Sequence, residues 1–479
     1  MTTRAPLHCR TFIDNEFRPG EGGLERRNPA TDELVAVADV ADEGAVDAAV
    51  GAASAAFATW GTTTGFERGH LLRELARVAL DRLDDLATSM TLEMGKPLDE
   101  ARGEVRKFAQ AMRFYAEEAE RIGGETIPNE SNDFLSIVRK EPVGPVAAIT
   151  PWNYPVELIG WKLGGALGAG CTVVVKPSQY TPGAAHVLAE CIREAGFPPG
   201  VVNVVHGAGE VGGILAAHPG ITKIAFTGSN ATGQRLFKTV SGVTRLTLEL
   251  GGSCPMLVSR HADLDLAAAG AVRRSFRNAG QICIAINRIY VERRVFGDFV
   301  DRVAELTRGL TVADGYANPG ADVGPVTMEE IRARTTAHVT DARERGASVV
   351  AGAEPHPAGG LFLAPAVVVD APHDAKIMTE ETFGPAVGVT PVGSLDEAVQ
   401  HANAVPGGLA AYLFTEELGE TMQVSSALNF GNVAVNNVDA GIINAPYGGR
   451  RESGFGSEHG RAGLEGYLQL KHVRIRHTH

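Results

Sequence analysis

The chain has 479 residues, enough for about three domains at roughly 150 residues each. Hydrophobic residues make up 44% and charged residues 21%, a globular mix that excludes intrinsic disorder. The 44 Lys and Arg against 57 Asp and Glu give a net charge of −13 without any polybasic run, so nucleic acid is not an expected partner.

The N-terminal stretch MTTRAPLHCRTFIDNEF has no apolar signal core, and no secretory leader is expected. Val46, Ala49, Val50, Ala53 and Phe57 follow helical spacing, as do Leu72, Leu75, Ala79, Leu83 and Leu86. Residues 125–141 mix apolar and charged residues at strand spacing, and so does the tail from Tyr467. Both read as intersubunit strands, the alternative being a surface hairpin and a frayed tail. From residue 143 short apolar runs (143–150, 171–175, 200–205, 221–227) each end in a turn and precede a helix-length stretch. Buried parallel strands produce such runs, and their alternation with helices predicts a doubly wound α/β sheet. A second α/β block spans about 252–450. The apolar stretch 158–175 carries Lys162 and five glycines, so a membrane span is not expected.

The five cysteines (Cys9, Cys171, Cys191, Cys254, Cys283) form neither a disulfide framework nor a CxxC pair, which points to a reduced, cytoplasmic protein. No His, Cys or Asp cluster has ligand spacing, so no metal is expected.

Two segments compete for a dinucleotide. Residues 207–212, GAGEVG, match GxGxxG after a strand, but no acidic residue closes a following strand. One strand later, 226–233 reads FTGSNATG. There Gly228 permits a tight turn, Ser229 or Asn230 can cap a helix, and the exposed N–H groups suit a pyrophosphate. Lys176, at a strand end, either reaches a ribose or phosphate or is a solvent lysine. Three residues carry candidate chemistry. Cys283, in RNAGQIC, is either a nucleophile or one of the many inert buried thiols. Glu249, in LELGG, is a carboxylate placed at a strand end where it can move protons. Asn153, in PWNYP, either donates to an oxyanion or caps the next helix.

Taken together, PWNYP, KPS, FTGS, LELGG, GQIC, EETFGP and PYGG, in this order over 150–450, resemble the aldehyde dehydrogenase superfamily across nearly the whole chain. The resemblance implies an α/β fold with a Rossmann-like cofactor domain (1–122 and 143–251), an α/β catalytic domain (252–452) and a small β oligomerisation arm and tail (123–142 and 453–479). It implies that Cys283 attacks the aldehyde, that Asn153 and the Cys283 N–H hold the oxyanion, and that Glu249 activates water to hydrolyse the thioester. For NAD(P)+ it implies contacts from Trp152, Lys176, Ser178, Gln179, Gly228, Ser229, Gly233, Leu250, Glu381 and Phe383. GAGEVG then becomes a structural turn. Many NAD-specific members have Glu where Gln179 stands, so NADP+ is expected to be accepted.

Three stretches, SFRNAGQIC, FYAEEAERIGGETIP and TEETFGPAVGV, look closest to the succinate-semialdehyde branch. Arg277 matches one of that branch's carboxylate-binding arginines, but Trp161 replaces the second, and Glu157 adds negative charge on the same predicted helix. Ala285 excludes a local disulfide switch. The expected substrate is succinate semialdehyde or a related ω-oxo acid, converted to the carboxylic acid by a homodimer or homotetramer with no membrane partner. Aminoaldehyde, betaine-aldehyde or general aldehyde oxidation is the alternative. A CoA-acylating relative and a non-catalytic binding protein are the weaker readings.

Overall fold

The computed structural model describes residues 5–477 apart from 241 and 355. Two mostly parallel sheets carry the mixed α/β architecture. Strands β1 (Thr11–Ile13) and β2 (Glu16–Arg18) precede a layer of four helices: α1 (Glu43–Trp60), α2 (Gly65–Asp81), α3 (Leu83–Met94) and α4 (Leu98–Glu120). The apolar spacing from Leu72 to Leu86 is split between α2 and α3, because Arg82 leaves helical geometry (φ −103°, ψ 24°). A capping box between Thr64 and Glu67 fixes the start of α2, and Asp42 caps α1.

The hairpin of β3 (Glu125–Ile127) and β4 (Phe134–Pro142) leads into the first sheet's core. There follow β5 (Val146–Ile149), α5 (Pro155–Ala169), β6 (Val173–Lys176), α6 (Pro182–Glu194), β7 (Val202–Val204), α7 (Gly209–Ala217), β8 (Lys223–Gly228), α8 (Asn230–Thr239) and β9 (Arg245–Leu250). The second block contains β10 (Cys254–Val258), α9 (Leu264–Phe276), β11 (Ile286–Glu292), β12 (Ser348–Ala351), β13 (Ala366–Val369), β14 (Ala386–Val392), β15 (Ala410–Phe414) and β16 (Asn432–Val435). The chain closes with β17 (Gly454–Phe455) and β18 (Leu468–Arg476).

The first sheet runs β17-β9-β8-β5-β6-β7-β1-β2 and the second β12-β13-β14-β11-β10-β15-β16. In the first, the chain moves outward from β5 through β6 to β7, then returns to place β8 on the other side of β5. Such a switch point opens a crevice at the carboxyl ends of the strands. In the second sheet the order reverses between β10 and β11.

Helix α5 shows why an apolar, glycine-rich run need not enter a membrane. A Cβ on Gly160 would lie 2.4 Å from the Phe108 ring, and one on Gly164 would lie 2.4 Å from Tyr115, both on α4. The glycines let two helices pack backbone to ring, and Gly170 (φ 96°) ends α5 in the left-handed region. Among the described residues no helix is long and apolar enough to cross a membrane.

Strands β18, β4 and β3 form a separate antiparallel sheet, with Leu468 opposite Pro142 and Arg476 opposite Phe134. The tail assigned from 453 begins differently. Gly454–Phe455 extends the first sheet beside β9, and the helix Gly460–Glu465 follows before the chain joins the hairpin. The fold also gathers His373, Glu397 and His401, whose ligand atoms lie within 4.8 Å of one another, a grouping the sequence spacing does not reveal. The two imidazoles stack 3.6 Å apart at 6°, so their in-plane lone pairs run parallel instead of converging on one ion.

Candidate active site

The two switch points face one cavity of about 840 Å³. Trp152 and Asn153 enter it from the turn after β5, Gly228 and Ser229 from the end of β8, and Glu249 and Leu250 from the end of β9. Cys283 enters from the loop before β11, and Glu381 and Phe383 from the segment before β14. Trp161, on α5, completes the wall. Ten of the sequence-derived candidates thus meet in one place.

Cys283 owes its position to a strained turn. Asn278, Ala279 and Gly280 all have positive φ (51°, 53° and 71°). Left-handed backbone at a non-glycine residue costs about 1 kcal/mol or more. Hydrogen bonds hold the turn: Asn278 Nδ2 donates to the Asn153 carbonyl (3.1 Å), and Gln281 Nε2 donates to the Asn278 carbonyl (2.9 Å). Asn153 Nδ2 donates to the Gln281 carbonyl at 3.0 Å. That bond uses one amide hydrogen and leaves the second free. Burial pushes the Cys283 thiol up to about 12, with Tyr447 hydrogen bonding in opposition. The Tyr447 hydroxyl lies 3.4 Å from Cys283 Sγ.

Glu249 is 3% exposed, and neither carboxylate oxygen has a hydrogen-bond partner among the described residues. Burial holds it well above the usual carboxylate range, and the nearby Glu458 adds to the shift while Lys162 opposes it. Lys162 is fully buried and donates to Glu458 Oε1 (2.7 Å) and Thr227 Oγ1 (2.6 Å). Lys162 thus pairs directly with Glu458 and reaches Glu249 only through its charge.

On the other side of the Asn153 turn lies a second buried pair. Lys96 donates to Glu104 and to the Asn153 carbonyl. Glu104 also accepts from the N–H groups of Val156 and Glu157 at the start of α5 (2.8 and 3.1 Å). This clamp fixes the turn that carries Asn153.

The site also fits a dinucleotide. Ser229 caps α8 by accepting from the Thr232 N–H, leaving a helix N-terminus at the cavity edge. A Cβ on Gly233 would lie 2.6 Å from Leu250, so Gly233 acts beneath the surface as a close-packing residue. Glu381 Oε1 accepts from the Gly252 N–H (3.3 Å), and burial pushes its carboxyl up to about 7. Phe383 (φ 51°) meets Trp152 edge to face at 5.6 Å. Lys176, Ser178 and Gln179 lie outside this cavity, at and after the end of β6 beside β5. The Lys176 amine has no hydrogen-bond partner among the described residues, and burial pushes it down to about 8. Ser178 Oγ accepts from the Tyr180 N–H and so supports the turn. GAGEVG forms the turn and first part of α7, with Gly207 at φ 153°. Glu157 and Arg277 do not line the catalytic cavity. They face a neighbouring one that shares only Trp161 with it.

Sequence reading missed Tyr447, Lys162, Glu458, Lys96 and Glu104. Tyr447 stands inside PYGG, where its aromatic ring was the available signal.

The aldehyde dehydrogenase family profile matches residues 17–473. A succinate-semialdehyde dehydrogenase [NADP(+)] of Escherichia coli is 41% identical over 97% of both chains. A glutarate-semialdehyde dehydrogenase of Pseudomonas aeruginosa is 39% identical over 96% of both. The crystal structure of an E. coli NADP-dependent enzyme superposes with a TM-score of 0.96 at 39% identity, covering 98% of each chain. The chain belongs to the aldehyde dehydrogenase family and is an NAD(P)-dependent oxidoreductase acting on the aldehyde group.

Proposed function

We propose that this enzyme oxidises an ω-oxo acid, such as succinate semialdehyde, to the dicarboxylate through a Cys283 thiohemiacetal and thioester. The observation that carries the reading is the convergence of a thiol, an amide donor and an unpaired carboxylate on one cavity. The relatives named for succinate and glutarate semialdehydes support the substrate class.

Residues 1–122 and 143–251 would bind the dinucleotide. Lys176, Ser178 and Gln179 would sit at its adenosine side, Gly228 and Ser229 at the pyrophosphate, and Trp152, Leu250, Glu381 and Phe383 at the nicotinamide. When bound, the nicotinamide supplies the hydride acceptor. Residues 252–452 supply the nucleophile. Cys283 Sγ bonds to the aldehyde carbon, and the developing oxyanion takes hydrogen bonds from the free Asn153 amide hydrogen and the Cys283 N–H. Glu249 then removes a proton from the water that cleaves the thioester. Gln179 keeps hydrogen bonding but carries no charge to repel a 2′-phosphate, so NADP+ is accepted.

The exposed Leu470 and Ile475 on β18 and Ile127 on β3 support a homodimer or homotetramer assembled through the three-stranded sheet. Five unpaired thiols support a reducing compartment, the cytoplasm.

The test is nicotinamide reduction by purified enzyme, crossing NAD+ and NADP+ with succinate semialdehyde, glutarate semialdehyde, an aminoaldehyde and a neutral aldehyde. A kcat/KM advantage for the ω-oxo acids is expected. A clear advantage for the neutral aldehyde would overturn the substrate assignment.

A further inference from the structure

Trp161 divides the catalytic cavity from an outer one, which is lined by Lys107, Glu157, Arg277, Asn444 and His459 among others. The indole packs on Tyr447 (ring centroids 5.4 Å apart), which itself touches Cys283. The outer cavity is therefore the vestibule in which the far end of an aldehyde held at Cys283 would lie.

The charges in this vestibule are not all paired. Asp439 is saturated by Arg273 (3.0 Å) and Arg274 (2.9 Å). Glu157 is different: its side chain is 8% exposed, and its carboxylate accepts no hydrogen bond among the described residues. Its nearest cation, Lys107, stands 3.9 Å away, too far for a hydrogen bond, on a side chain that is half exposed. Arg277 spends only Nε, on Glu100 at 3.4 Å, and its terminal nitrogens make no hydrogen bond among the described residues. A nearly buried carboxylate without a donor is costly, and a guanidinium paired through Nε alone still has its terminal nitrogens to offer. Each cost is relieved by a ligand group of opposite charge. A plain ω-oxo acid brings a carboxylate for Arg277 and leaves Glu157 unanswered. An aminoaldehyde answers Glu157 and leaves Arg277.

We infer that the vestibule selects an ω-oxo-α-amino acid, with its α-carboxylate on the terminal nitrogens of Arg277 and its α-ammonium on Glu157. Lys107 acts as the loose placeholder that the substrate ammonium displaces. This inference rests on the ω-oxo acid reading and narrows it to zwitterionic members. Burial raises the Glu157 carboxyl, and an ammonium beside it would act in the opposite direction.

The test compares 4-oxobutanoate with 2-amino-4-oxobutanoate, a pair too short to close into a stable cyclic imine. Initial rates are measured on wild-type enzyme, Glu157→Gln and Lys107→Met. A second measurement compares aspartate, glutamate and 2-aminoadipate with succinate, glutarate and adipate as competitive inhibitors, to cover a longer reach. The amino compound is expected to lead by about tenfold or more in kcat/KM, as for a site built to bond a group its competitor lacks. Glu157→Gln should bring the ratio near one through KM, and Lys107→Met should preserve or widen it. The inference is overturned if the plain four-carbon acid leads and no amino diacid inhibits better than its plain counterpart. It is also overturned if Glu157→Gln leaves the ratio unchanged. If a neutral aldehyde outperforms both acids, the ω-oxo acid reading itself has failed. If 4-oxobutanoate outperforms every other substrate and no amino diacid inhibits better than its plain counterpart, only the zwitterion assignment has failed.

Discussion

Glu104 and Glu249 are buried carboxyl groups that border the Asn153 turn, and they are opposites. Glu104 is saturated: it accepts from Lys96 and from two backbone N–H groups at the start of α5. Glu249 has no hydrogen-bond partner for either oxygen among the described residues. A satisfied buried carboxylate rigidifies what it touches, whereas an unsatisfied one retains the capacity to bind a proton, a water or a substrate atom. The difference separates a carboxylate committed to the scaffold from one left available to a ligand within one small volume.

The comparison can be broken at several points. The largest effect is expected at the atom both groups serve. Cys283→Ser should lower aldehyde oxidation about 10⁴-fold or more in steady-state assays, with thermal stability nearly unchanged. Glu249→Gln should lower steady-state turnover about 10²- to 10⁴-fold, yet leave one burst of reduced nicotinamide per active site in rapid mixing. Loss of the burst would mean that Glu249 is needed before hydride transfer. Because the Glu249 carboxyl is held above the ordinary range, it is protonated at acidic pH and ionises as pH rises. Deacylation should therefore rise with pH at values above the ordinary carboxylate range, and this limb should vanish in Glu249→Gln.

Glu104→Ala should behave as a structural lesion. It leaves buried Lys96 unpaired, and denaturant unfolding should show a loss of about 3–5 kcal/mol. Glu104→Gln should recover part of that stability, while kcat stays low if the Asn153 turn still shifts. A fully stable but inactive Glu104→Ala would erase the distinction drawn between the two carboxylates. The smallest effect is expected furthest from the chemistry. Gln179→Glu should shift the NADP+ to NAD+ ratio of kcat/KM about tenfold toward NAD+.

Linear signals located the residues that line the cavity better than those that support it from behind. Asn153 and Cys283 sit in turns beside strands and Glu249 sits in the last two residues of one, where residue order itself records the backbone geometry. The FTGS turn, with Ser229 capping a helix, was readable for the same reason. Lys162 was visible only as an interruption of an apolar run, because its partner Glu458 lies 296 residues away. Tyr447 is 164 residues from Cys283, inside a glycine-rich segment that reads as a turn. Helical spacing from Leu72 to Leu86 was real on both sides of Arg82, but periodicity does not register a one-residue break. The hairpin and tail read as strands because alternation is local, and their pairing with each other could come only from the fold.

One indole, Trp161, is both the inner wall of the vestibule and the outer wall of the reaction chamber. The residues proposed to select the substrate and those proposed to transform it thus meet at the same ring. Residues 441–444 line the vestibule alone. For engineering, a library aimed at new aldehydes belongs in that loop, where the far end of the molecule can be resculpted while the ground beneath the thiol stays still.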